Sequence, residues 1–232
     1  GGWVAGMETG FFHLQAHEDG SLDSAPLAHV DHARTGMRLN DGRCDRQGRF
    51  WAGSMVLDMN ANAAVGTLYR YNAGQQGPLQ AQMNGLIVPN GLAFSPDGKT
   101  MYLSDSHPLV QQVWAFDYDI DSGTPSNRRV FIDMNQYAGR PDGAAVDAEG
   151  CYWICGNDAG LVHRFTPDGR LDRSLAVPVK KPSMCAFGGS RLDTLFVTSI
   201  RPGDDLDEHS LAGGVFALDP GVKGLPEPHF KQ

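Results

Sequence analysis

The sequence has no apolar run approaching the 18 residues that a membrane-spanning helix requires. Runs of basic charge are also missing: none is longer than the pairs Arg128–Arg129 and Lys180–Lys181. With 27 acidic against 19 basic residues the net charge is −8, a field that repels nucleic acid and excludes it as a partner. Residues 1–10 carry neither a basic start nor an apolar segment, so no signal peptide is expected. Cysteine is scarce, with Cys44, Cys151, Cys155 and Cys185 only. In a strand Cys151 and Cys155 would share a face, too far apart for a relaxed disulfide, and the paired spacings of a thiolate zinc site are absent. Reduced thiols in a cytoplasmic protein are the expectation. No G-x-S-x-G elbow, no P-loop and no metal-type His spacing occurs. Nor does any stretch of 10–15 residues with helical periodicity, which excludes α/β and α+β classes.

Glycine, by contrast, is abundant, at 29 of 232 residues. Without a collagen period this implies many tight turns and many short strands. Four segments repeat one pattern: residues 40–55, 90–106, 141–158 and 183–200. Each has a short alternating run, a Gly- or Asp-containing turn and an aromatic, β-branched second run, the signature of a hairpin. A third strand follows each (GTLYRY, VWAFDYD, GLVHRF, GGVFAL), then a polar turn, and RRVFID at 128–133 reads as a fourth strand. Four strands per roughly 40–50 residues is the period of a β-propeller blade. Residues 1–22 match only the second half of the repeat, so the chain is expected to begin inside a blade. The reading is a single all-β propeller domain over 1–232. It has a half blade at 1–39 and blades starting near 40, 90, 141 and 183, about four and a half in all.

In a propeller the loops entering the first strand of each blade gather at one mouth of the channel. Those positions hold Asn40-Asp41, Asn90 and Asp142, each followed by Gly. Asn-Gly and Asp-Gly are common turn dipeptides, but three in register at strand starts also suit a hard cation, which takes carboxylate and amide oxygens. Arg38, two residues before Asn40, shares its face and suits substrate hydroxyls or a carboxylate. Asp58 and Asp105 are further candidates. Pro96-Asp97-Gly98 and Pro167-Asp168-Gly169 read as ordinary turns inside blades.

These pieces resemble a known family, that of senescence marker protein/regucalcin and the bacterial gluconolactonases. The resemblance rests on MRLNDGRCDRQGRFWAGSM (37–55), VPNGLAFSPDGKTMYLSDS (88–106), FDYDIDSGTPSNRRVF (116–131), RPDGAAVDAEGCYWIC (140–155), VPVKKPSMCAFGG (177–189) and GGVFALDPGVKG (213–224). It implies a six-bladed propeller, here lacking an N-terminal segment, that hydrolyses sugar lactones with one divalent cation. Asn90 and Asp142 are then metal ligands, and a third ligand, a Glu, is expected upstream of Gly1. Arg38, Asn40 and Asp58 are substrate contacts, and Asp105 lies beside the metal. Asp142 is also the expected general base.

The expected reaction opens a small-molecule sugar lactone to an aldonic acid. Oxygen donors with an amide suit Ca²⁺ or Mg²⁺, with Mn²⁺, Zn²⁺ and Fe²⁺ open. Two other readings keep the same fold: an organophosphate or other ester hydrolase, and a non-catalytic calcium- or protein-binding propeller.

Overall fold

The structure is a computed structural model that describes residues 1–75, 77–203 and 210–231. It is all-β, with two single-turn 3₁₀ segments at Met59–Ala61 and Met134–Gln136 among the described residues. Five antiparallel sheets follow one another along the chain. They fall into two compact units: Gly1–Pro89 with the C-terminal stretch from Glu227, and Asn90–Pro226.

The first unit holds two sheets. One contains β1 (Trp3–Gly6), β2 (Gly10–Ala16) and β3 (Leu22–His29). The other contains β4 (Met37–Cys44), β5 (Phe50–Val56), β6 (Gly66–Tyr71) and β7 (Gln80–Leu86). Phe11, Leu39, Phe50, Ala52, Tyr69 and Tyr71 form its core. Phe230 closes that core against Phe50 and Tyr71, with ring centroids 6.4 and 5.6 Å away.

The second unit holds three sheets: β8 (Pro89–Phe94) to β9 (Thr100–Asp105), β10 (Gln112–Asp119) and β11 (Thr124–Asp133); β12 (Arg140–Val146) to β13 (Tyr152–Asn157), β14 (Leu161–Phe165) and β15 (Leu171–Ala176); and β16 (Pro182–Gly188) with β17 (Thr194–Ser199) and β18 (Val215–Leu218). The middle sheet is apolar on both faces, because successive strand residues point opposite ways. Ala144, Val146, Tyr152 and Ile154 pack with Tyr102 and Val113, whereas Ala145, Trp153 and Cys155 pack with Cys185, Leu195 and Val197. Each such fully buried large side chain contributes about 1.5–3 kcal/mol of transfer free energy.

Sheets expected near 40, 90, 141 and 183 begin at 37, 89, 140 and 182. The half blade over 1–39 is corrected: that stretch forms three paired strands, making five sheets instead of four and a half. The missed strand is β3, an exposed edge strand carrying Asp23, Ser24 and Pro26, whose composition masks its pairing. The last sheet has three strands among the described residues.

All four cysteines are free thiols, as expected, and Cys151, Cys155 and Cys185 are buried. Burial, with Asp45 and Glu227 adding to it, pushes the Cys44 thiol up to about 12. No helix of the described residues is long and apolar enough to cross a membrane.

Candidate functional site

The tripeptide Pro-Asp-Gly occurs three times, and the backbone separates the occurrences. At 96–98 and 167–169 it makes hairpin turns, with Gly98 at φ +73° and Gly169 at φ +81°. Gly98 N–H donates to Ser95 O at 2.9 Å and Gly169 N–H to Thr166 O at 2.8 Å. At 141–143 the same letters lie inside β12. There Pro141 pairs with Gly156 and Ala144 with Ile154, so Asp142 and Gly143 together oppose one residue. This is a β-bulge, which re-aims a side chain out of the regular pleat. Bulges recur at the matching points of two other sheets, at Asn40-Asp41 in β4 and at Ser183 in β16. Asn-Gly at 90–91 lies in β8, with Gly91 at φ +59°. None of these positions is a hairpin turn.

In the second unit, a hydrogen-bonded chain joins β8, β9 and β12. Asn90, 7% exposed, donates from Nδ2 to Ser106 Oγ at 2.7 Å. Ser106 Oγ in turn donates to the carbonyl of Pro141, the residue before Asp142. Asp105 is buried at the end of β9 and accepts from His107 N–H at 3.0 Å. Asp142 accepts at Oδ2 from Asn157 Nδ2 at 2.7 Å. Beside Asn157, Asp158 pairs with Arg140 at 2.7 Å and with Lys181. Burial opposes the Asp158 charge, but the two cations outweigh it and hold the carboxyl below its usual range. A cavity of about 500 Å³ opens beside Lys181, walled by Val179, Ile200 and Leu211.

In the first unit, Arg38 Nη1 donates to Asn40 Oδ1 at 2.7 Å and to Leu39 O at 2.8 Å. Asn40 Nδ2 donates to Pro89 O at 2.9 Å. The two side chains are therefore in direct contact. Half-burial draws the Arg38 pKa below its usual value, because the charged form loses hydration. Asp58 is exposed and caps the turn at 59–61, accepting from Asn60 N–H at 3.0 Å.

Two residues of this arrangement, Ser106 and Asn157, were not anticipated from the sequence. Their signal is a polar residue at the end of the second strand of a sheet or just past it, as Ser199 also is in β17.

The described residues contain no cluster of three or more His, Cys, Asp or Glu side chains suited to a metal. A cation held here therefore needs amide oxygen beside carboxylate, the donor mixture of a hard-cation site. Asn90 and Asp142 supply that chemistry. One further atom fits it: Asn157 is 3% exposed, yet its Oδ1 is buried without a hydrogen-bond partner.

Residues 1–201 match the family described as SMP-30/Gluconolactonase/LRE-like region. The 6-deoxy-6-sulfogluconolactonase of Pseudomonas putida is 39% identical over 99% of this chain and 77% of its own length. Regucalcin of Oryctolagus cuniculus is 36% identical over 97% and 76%. Among solved structures, a luciferin-regenerating enzyme superposes with a TM-score of 0.85 at 27% identity, covering 100% of this chain and 78% of that one. A calcium-binding regucalcin from Agrobacterium tumefaciens gives 0.83 at 30% identity, covering 99% and 76%. With the family model matched over residues 1–201 and these relatives in agreement, the chain belongs to the SMP-30/gluconolactonase family.

Proposed function

We propose that the protein is a metal-dependent hydrolase that opens the ring of a sugar lactone to an aldonic acid. The observation that carries this reading is the hydrogen-bonded set in the second unit. Asn90, through Ser106, and Asp142, through Asn157, are each held by a polar neighbour. Family membership supports lactone hydrolysis, and the name of the Pseudomonas putida relative adds a sulfonated lactone to the substrates worth testing.

Asn90 and Asp142 would hold one divalent cation, which supplies Lewis-acid polarisation of the lactone carbonyl when bound. Asp142, kept in place by the Asn157 amide, takes the proton from the attacking water as general base. Arg38 and Asn40 orient the sugar hydroxyls. The bond between them fixes the guanidinium, whose planar fork offers further N–H donors. Asp58 is a further hydroxyl contact, using the carboxylate oxygen that does not cap the turn. Asp105 stands behind the site, bracing the backbone after β9.

The test is hydrolysis of glucono-1,5-lactone and of a 6-sulfonated analogue by chelator-treated protein, with Ca²⁺, Mg²⁺, Mn²⁺ or Zn²⁺ restored separately. Cation-dependent opening above the spontaneous rate is expected. Spontaneous rates with every cation would remove the assignment.

A further inference from the structure

The most deeply buried charged and imidazole groups of the second unit are fully satisfied. Asp147, at 0% exposure, accepts from two backbone amides, the Trp153 indole and Arg164. His163 uses both ring nitrogens, on Ser174 and on the Ala138 carbonyl. Asn157 departs from this pattern, as does Ser104 Oγ, but only Asn157 also holds a candidate ligand. Its Nδ2 donates to Asp142 Oδ2 at 2.7 Å, which fixes the orientation of the amide. Its Oδ1 is buried and without a partner. An unsatisfied buried acceptor costs about 1–3 kcal/mol, so a side chain held this way needs a reason.

Within one amide group the oxygen and nitrogen lie about 2.2 Å apart, from C=O and C–N lengths of about 1.23 and 1.33 Å. Adding the hydrogen bond places Asn157 Oδ1 within about 5 Å of Asp142 Oδ2. That is the span over which two oxygens can serve one hydrated cation, whose ligands sit roughly 2.3–2.6 Å away.

We infer that Asn157 is a positioning residue for Asp142: its amide aims the carboxylate, and its Oδ1 accepts from a water carried by the bound cation. The inference rests on the metal-dependent reading of Asp142 given above. Partners that orient a ligating carboxylate typically change metal affinity by 10–100-fold when removed.

Two variants of the full chain test it, Asn157→Ala and Asn157→Leu. Leu nearly restores the side-chain volume but cannot hydrogen-bond, so it separates polarity from packing. Ca²⁺ and Mn²⁺ affinities are measured by calorimetry, with thermal melting as the check on folding and lactone kinetics at saturating metal in parallel. Both variants should bind each cation about 10–100-fold more weakly. At saturating metal kcat should fall while KM stays within about twofold, since Asn157 acts through Asp142 and not on the sugar. Wild-type affinity in Asn157→Leu would overturn the inference and make Asn157 a packing residue, as would failure of the unaltered chain to bind either cation. Weakened affinity in both variants, with no lactone opened by any of the proteins, would uphold the positioning role and refute the reaction.

Discussion

Replacing Asp142 by Asn separates a ligand from a turn residue, because the same Pro-Asp-Gly tripeptide supplies its own control at Asp168. At position 142 the change is small structurally. Asn157 Nδ2 donates to Oδ2 of the carboxylate at 2.7 Å, and an Asn at 142 can turn its carbonyl oxygen to that donor. One charge-assisted hydrogen bond becomes a neutral one, a loss of roughly 1 kcal/mol. The functional cost is larger. A positioned general base contributes typically about 10²–10⁴-fold, equivalent to about 3–5.5 kcal/mol of activation free energy at roughly 1.4 kcal/mol per decade. Weaker cation binding adds to that, so excess metal should rescue only part of the rate. Asp168 lies on an exposed turn, where it accepts from Thr166 and pairs with Arg170. Exposed pairs are worth about 0–1 kcal/mol, so Asp168→Asn should leave the rate within about threefold. A pH-stat assay of lactone opening, with urea denaturation in parallel, reads both quantities. Equal rate losses at the two positions, or a loss under tenfold at Asp142, would refute the reasoning.

Two further predictions concern the fold. Asp147→Ala removes the one fully buried carboxylate from Arg164, 6% exposed, leaving it Glu149 and Asp172, and leaves the Trp153 indole without its acceptor. Urea denaturation should show a loss of about 2–4 kcal/mol, against less than about 1 kcal/mol for Asp172→Ala, a more exposed partner of the same guanidinium. Similar losses in both would contradict the ranking. Burial lowers the His163 pKa, with the bond to the Ala138 carbonyl opposing it. A depressed folded value means the unfolded chain takes up the proton first. The stabilisation is complete above about pH 6.5 and is lost as pH falls below it. His163→Gln should therefore flatten the decline in denaturation midpoint between about pH 7 and 5.5, and an unchanged slope would rule this out.

The sheet starts were readable because Pro, Gly and Asp punctuate alternating runs, as at Pro89 and Pro141. The β3 strand was hidden because an exposed edge needs no apolar alternation: Asp23, Ser24 and Pro26 look like loop. Asn90 and Asp142 were singled out by register across repeats. What the letters did not reveal is that Asn40-Asp41 and Asp142-Gly143 are bulges, since an extra residue in a ladder is visible only against its paired strand. Ser106 and Asn157 were missed for a related reason. A Ser or Asn at the end of a strand reads as the start of a turn, and only the fold shows which side chain it meets.

The four free thiols give this protein a built-in clock for its own opening. Alkylating reagents attack thiolate. A thiol at about 12 keeps roughly one part in ten thousand ionised at pH 8. Cys44 is thus slow to react while the first unit is folded, and Cys151, Cys155 and Cys185 are shielded inside the second. The rate at which mass is added at Cys44, set beside the rate at the other three, times the loosening of each unit separately without any introduced label.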